Sequence, residues 1–299
     1  MQYLRHSVAG EEYTMSKIYR AELVGVFGCP IDENPTGVVM EAAFAKLGLN
    51  YRYITMLVEK NTLGDAIAGL KAMNFRGINL TIPHKVEVIK YLDELSHAAE
   101  IIGAVNTVVN KNGKLFGENT DGKGFITSLR KVDVDVAGKK IAVLGAGGAA
   151  RAISVECALA GAKQITIANT TKEKGEEVVN LINQRTQAEA VFVFWDKPFI
   201  VPDDTDIFIN ATSVGLYPNV DESPNVEYNS VKSNMVVADV IFNDPNTIFL
   251  QEAANRGAKT VNGLGMLSSQ AAMNFVLWTG KDAPIDLMEQ VLKEEFGLT

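Results

Sequence analysis

The sequence predicts an α/β protein of two domains. Short apolar runs of strand character alternate with segments of helical period along the whole chain, a glycine-rich turn sits near its middle, and 299 residues are enough for two cores. The turn follows a buried-type run, Ile141-Ala-Val-Leu144. The chain then passes through Gly145-Ala146-Gly147-Gly148-Ala149-Ala150 into a helical pattern. Strand, glycines and helix in that order form a dinucleotide-binding unit. Gly145 permits the tight turn, Gly147 lets the main chain approach a pyrophosphate, and Ala150 keeps helix and sheet close, so that the helix's free N–H groups face negative charge.

Before this unit the chain reads as a smaller α/β domain. Residues 21–31 form a strand ending at Gly28-Cys-Pro30, a turn follows at 32–37, and apolar residues at helical spacing continue to Leu49. A strand at 51–58, a helix at 61–73 and a strand at 77–81 come next, which predicts a mostly parallel sheet. Asn79 and Thr81 share one face of the last strand. Pro83 ends it, and Lys85 opens a helix expected to run through residue 95. A lysine there faces the wrong end of the helix dipole, and taken alone it reads as a solvated surface group. Residues 105–122 read as a hairpin around Asn112-Gly113, with Asn106 near its start and Asp121 at its end. Taken alone, Asp121 reads as a helix cap or turn former.

Beyond the glycine turn, the strand 164–169 ends in Asn169-Thr170-Thr171-Lys172-Glu173-Lys174. Neutral hydrogen-bonders and lysines stand where an NAD site places a carboxylate on the ribose 2′-hydroxyl, which favours NADP over NAD. Further strands at 206–215, with Thr212, and 235–242, with Val240 and Phe242, lead to the turn at Gly263 and Gly265. A long helix through Trp278 follows, carrying Met266 and Gln270.

Composition narrows the classes. A net charge of −8 disfavours nucleic acid and anionic membranes as main partners. Two cysteines in unrelated contexts and three scattered histidines give neither a disulfide framework nor a metal site. A reducing, cytoplasmic setting fits. No apolar run reaches membrane-spanning length, and the first residues lack a signal-peptide core and read as a loose extension.

Taken together, NLTIPHK (79–85), GAVNT (103–107), NTDG (119–122), GAGGAA (145–150) and GLGMLSSQAA (263–272) resemble the shikimate dehydrogenase family, including its quinate/shikimate branch. The resemblance covers the chain from about Glu22 to the C-terminus. It implies an N-terminal α/β substrate domain and a C-terminal Rossmann-type dinucleotide-binding domain with a cleft between them. The expected boundaries are 1–20 for an N-terminal extension, 21–124 for the substrate domain, 125–262 for the NAD(P) domain and 263–299 for helices packing back on the first domain. It implies reversible hydride transfer between a nicotinamide and a ring carbon bearing hydroxyl or ketone, in aromatic amino acid biosynthesis, without a metal. The expected partner is a small cyclic hydroxy or keto compound, and a homodimer is left open.

The resemblance makes Lys85 and Asp121 the proton-transfer pair, reversing the bland reading of each. Asn79, Thr81, Asn106 and Gln270 match substrate contacts. Gly145 through Ala150, Asn169, Thr170, Thr171, Lys174, Thr212, Val240, Gly263 and Met266 match the nucleotide site. Three departures stand out. The family's Ser-x-Ser-Pro, which binds the substrate carboxylate, is replaced by Asp32-Glu33-Asn34-Pro35, which puts Asp32 where a serine is expected. Phe242 stands for a tyrosine, and Thr170 for the arginine of Asn-Arg-Thr. A carboxylate beside a carboxylate disfavours binding. A related cyclic polyol or keto compound without that group is therefore the alternative substrate, and a nucleotide-binding pseudoenzyme the remote one.

Overall fold

The computed structural model describes residues 19–298 together with the backbone of residues 5–8 and 11–14. In the N-terminal stretch β1 (Arg5–Val8) and β2 (Glu11–Thr14) pair antiparallel as a separate two-stranded sheet, where the sequence suggested no regular structure.

The first domain is built on β3 (Glu22–Gly28), α1 (Thr36–Lys46), β4 (Tyr51–Leu57), α2 (Leu63–Ala72), β5 (Gly77–Leu80), α3 (His84–Glu87), β6 (Glu94–Leu95), α4 (His97–Ile102), β7 (Thr107–Lys111) and β8 (Lys114–Glu118). Its six strands lie in the order β4-β3-β5-β7-β8-β6. The first three are parallel, and β7 is antiparallel to both β5 and β8. Asn112 and Gly113 both take positive φ, 55° and 90°, the geometry that a two-residue hairpin needs.

The helix expected from Lys85 to residue 95 stops after four residues and continues only as a 3₁₀ turn over Val88–Tyr91. The main chain beyond it is captured by β8: Asp93 N–H donates to Leu115 at 2.9 Å and Ser96 N–H to Gly117 at 2.9 Å. Sheet pairing wins over helix propagation because it satisfies the same donors while covering Leu92 and Leu95.

The connecting helix α5 (Asp121–Arg130) leads to β9 (Lys140–Leu144), α6 (Gly148–Leu159), β10 (Gln164–Asn169), α7 (Lys172–Arg185), β11 (Glu189–Phe194), β12 (Ile207–Asn210), β13 (Val236–Asp239), α8 (Ile248–Ala254) and β14 (Lys259–Val261). The order β11-β10-β9-β12-β13-β14, parallel throughout, is the doubly wound arrangement with its switch point beside β9. Sequence reasoning did not foresee β11 and β14. Both lie at the sheet's edges, where the burial that produces a clean apolar run is weakest, and Val193 and Phe194 are exposed.

The last two helices, α9 (Leu264–Thr279) and α10 (Ile285–Glu295), return to the first sheet. Phe275 stacks on Phe44 at 5.4 Å, and the Trp278 indole N–H donates to the Val108 carbonyl at 3.0 Å. Gly122 in α5 lies against α6, so closely that a β-carbon would meet the Ala152 carbonyl at 2.4 Å. Gly124, also in α5, lies as closely against α9: a β-carbon there would meet the Met266 carbonyl at 2.9 Å, so α5 and α9 pack directly on one another.

Candidate active site

Two cavities open from the cleft and share Lys85, Asp121, Phe242, Leu267 and Gln270. The larger, 890 Å³, runs across the carboxyl ends of the second sheet. The smaller, 250 Å³, ends against β3, β5 and the start of α1.

At their junction the Lys85 ammonium donates to Asp121 Oδ2 at 2.7 Å. Each partner is fixed by its backbone. Lys85 sits in the first turn after Pro83, and its carbonyl accepts from Val105 N–H at 2.7 Å, tying it to the strand that enters β7. Asp121 opens α5, where the dipole favours a carboxylate, and its N–H donates to Asn119 Oδ1 at 3.1 Å. The other carboxylate oxygen, Oδ1, accepts from Asn106 Nδ2 at 2.8 Å. The lysine is half-buried and the aspartate buried, so the pair is shielded yet reachable from both cavities.

Behind the pair lies a polar network whose hydroxyls and amides are almost wholly satisfied. Asn106 Oδ1 accepts from Thr120 N–H at 2.8 Å and Thr107 Oγ1 at 3.0 Å, and its amide reaches Gln270 Oε1 at 3.3 Å. Asn274 Oδ1 accepts from Thr107 Oγ1 at 2.8 Å and Thr120 Oγ1 at 3.0 Å. Asn79 donates to the Asn106 carbonyl and to Thr107 Oγ1, both at 3.1 Å, and accepts from Tyr53 at 3.0 Å. Burial drives the Tyr53 phenol far above its ordinary pKa, so it remains a donor. A buried network of this kind is rigid, because losing any member strands a polar group.

Of the expected substrate residues, Asn34, Asn79, Thr81, Asn106, Phe242 and Gln270 line the smaller cavity. Asp32 does not. Asn34 N–H closes a tight turn onto the Ile31 carbonyl at 3.1 Å, which turns residues 32 and 33 out to solvent. The far wall is formed instead by Asn34, Pro35 and Thr36, and Lys85 is the one cation in the lining. Sequence reasoning missed Thr36, Tyr53 and Asn274. Asn274 was within reach, since it lies one helical turn after Gln270 on the same face.

In the larger cavity Gly145, Ala146, Gly147, Gly148, Ala149, Asn169, Thr170, Thr212, Val240, Gly263 and Met266 are all in the lining. Gly145 takes φ +105°, which favours glycine, and a β-carbon on Gly147 or Gly148 would meet nothing within 4 Å. That open cradle at the start of a twelve-residue helix fits a pyrophosphate. Ala150 is buried beneath it, packing helix on sheet. Thr171 and Lys174 lie outside the lining. Thr171 caps α7, its carbonyl accepting from Asn169 Nδ2 at 2.8 Å, and Lys174 is exposed on the helix leading away. Under the cavity floor, burial raises Asp239 to about pKa 6 despite donors from Thr247 at 2.7 Å and Asn210 at 3.0 Å. Among the described residues no group of His, Cys, Asp or Glu side chains could hold a metal ion, and no helix is long and apolar enough to cross a membrane.

The comparisons with known proteins match this architecture in both halves. Residues 26–108 match the shikimate dehydrogenase substrate binding domain, and residues 263–293 the shikimate 5′-dehydrogenase C-terminal domain. The shikimate dehydrogenase (NADP(+)) of Alkaliphilus oremlandii is 43% identical over 285 residues, covering 91% of this chain and 96% of that one. The chain belongs to the shikimate dehydrogenase family. It is an NAD(P)-dependent oxidoreductase of the shikimate dehydrogenase type. Among solved structures, the 5-ketofructose reductase of a Gluconobacter species is 46% identical, with a TM-score of 0.89 and coverage of 93% and 99%. The Listeria monocytogenes shikimate 5-dehydrogenase in complex with shikimate and NAD is 37% identical, with a TM-score of 0.87 and coverage of 94% and 99%. Shikimate dehydrogenases thus occur in this neighbourhood beside a keto-sugar reductase.

Proposed function

We propose that the chain interconverts a ketone and a secondary alcohol on a polyhydroxylated substrate of the shikimate type, with Lys85 and Asp121 as the proton-transfer pair. The observation that carries this reading is the 2.7 Å contact between the two at the junction of the cavities. When bound, the nicotinamide supplies or accepts the hydride. In reduction, the Lys85 ammonium gives a proton to the carbonyl oxygen as charge develops there; in oxidation, the neutral amine takes it back. Asp121 orients the lysine and accepts from the reacting hydroxyl, and Asn106 holds the carboxylate in place from behind. Asn79, Thr81 and Gln270 offer hydrogen bonds to further hydroxyls. Asp32 has no part in this scheme. Gly145 to Ala149 hold the pyrophosphate, and Met266, Val240 and Gly263 wall the nicotinamide end. With no acidic residue at the end of β10, the chain takes NADP in modest preference to NAD.

A second reading concerns the substrate's far end. Asn34 and Thr36 offer only neutral groups there, and no cation besides the Asp121-paired Lys85 lines the cavity. That chemistry suits a keto compound without a carboxylate, in line with the likeness to 5-ketofructose reductase. Nicotinamide absorbance with 3-dehydroshikimate, set against 5-ketofructose and uncharged cyclic ketones, separates the two. Turnover of 3-dehydroshikimate alone upholds the first reading, and turnover of the uncharged ketones alone upholds the second. No turnover with any of them removes both.

A further inference from the structure

Of the residues that line both cavities, Lys85 stands on α3, Asp121 on α5, and Leu267 and Gln270 on α9. Phe242 differs: it follows β13 and is the second sheet's contribution to the junction. The main chain is pinned just before it. Ile241 N–H donates to Asp239 Oδ1 at 3.1 Å, and the Ile241 carbonyl accepts from Gly263 N–H at 3.1 Å. Phe242 itself makes no hydrogen bond among the described residues, and its ring joins none of the buried apolar clusters of either domain. A half-buried ring at such a place keeps several rotamers unless a neighbour holds it.

That neighbour comes from the last helix. Phe242 meets Phe296 with 5.6 Å between ring centroids and 41° between ring planes. Phe296 stands at the end of α10, where the backbone is closed by a Schellman cap. Gly297 takes φ +65° and its N–H donates to the Glu294 carbonyl at 3.1 Å, while Leu298 N–H donates to the Lys293 carbonyl at 2.7 Å. The Phe296 side chain also packs on the core that holds Phe44, Phe275 and Leu292, which anchors it to the first domain. It lines neither cavity, so any effect it has on the site passes through another residue. We infer that Phe296 is a positioning residue for the carbonyl substrate: its ring braces Phe242 and so fixes the wall where the two cavities meet. A wall ordered before binding spares the complex the entropy of ordering it.

This rests on the proposed carbonyl reduction and deepens it. The test uses the whole enzyme and whichever of 3-dehydroshikimate and 5-ketofructose wild type turns over. F296A raises KM for that compound by about 3- to 10-fold, with kcat and nucleotide affinity by calorimetry within about 2-fold. F296Y, which keeps the ring, restores the wild-type KM. F242A raises KM at least as far, and adding F296A to it changes KM by less than about 2-fold, because the brace then has nothing to hold. L298A loosens the same helix end, lowering the thermal midpoint while leaving KM unchanged. An unaltered KM in F296A, effects of F242A and F296A that multiply, or an equal rise in L298A would overturn the role of Phe296 and leave the carbonyl reading standing. Wild type that turns over neither compound overturns that reading and this role together.

Discussion

The two cavities meet at one ion pair but are made of different material. Along the larger, the lining comes from strand ends and a glycine turn, where main-chain N–H groups and missing side chains shape the space. Along the smaller, it comes from Asn79, Asn106, Gln270 and Asn274, four amides separated by up to 195 positions; the three asparagines are locked by hydrogen bonds to two threonines, and Gln270 accepts from Asn106. A backbone-made surface tolerates side-chain change beside it and fails only when bulk enters the cradle. A side-chain network fails in proportion to what each member leaves unpaired.

Four substitutions can break or sharpen that contrast. The largest effect is expected from Lys85→Ala, which removes the proposed proton donor: kcat falls by about 10³- to 10⁴-fold while nucleotide affinity by calorimetry is unchanged. An unaltered kcat would remove Lys85 from the chemistry. Next comes Gly147→Val. A β-carbon there meets only open space, so the thermal midpoint holds, but the branches enter the pyrophosphate cradle and weaken nucleotide binding by at least about 10-fold. Equal loss of stability and affinity would show that the cradle is not backbone-made.

Asn274→Ala does the opposite. It removes one of the two acceptors that the hydroxyls of Thr107 and Thr120 share, leaving them Asn106 Oδ1 and costing about 0.5–1.5 kcal/mol in denaturant unfolding. It also raises KM for the carbonyl substrate as Asn106 loses support, with nucleotide affinity intact. Unchanged stability would mean that the network relaxes more freely than its burial implies.

The smallest effect lies away from both cavities. Burial raises Glu156 on α6 to about pKa 7 from an ordinary value of 4.5, against the pull of Lys123 and reinforced by Glu118. Between those values the folded chain keeps a proton that the unfolded chain has released. Stability from this group is therefore present at acidic pH and is lost as pH rises through that window. Glu156→Gln, neutral throughout, should raise the thermal midpoint at about pH 8 by the equivalent of roughly 1–2 kcal/mol and leave it unchanged near pH 5. Equal shifts at both pH values would assign the effect to packing.

Some of the site was legible because its physics is local. The glycine turn, the strand before it and the helix after it are consecutive, so Gly145 to Ala150 declare themselves. The resemblance then paired Lys85 with Asp121, which single-residue reasoning had left as a surface lysine and a cap. Asp32 was misplaced because one backbone hydrogen bond, Asn34 to Ile31, decides which residues of a short turn face inward. The helix after Lys85 was overextended because the rival for its backbone, β8, is distant in sequence.

By itself the sequence determined the alternation of strand and helix and the position of the glycine turn, since periodicity and glycine conformation are properties of neighbours. Only the tertiary structure decided that Lys85 touches Asp121, that Asn34 and Thr36 close the smaller cavity, and that Trp195 and Asp196 line the larger one. Those juxtapositions depend on strand order and on helices returning to the first sheet, which are settled by burying the apolar faces of both sheets at once rather than by any local run of residues.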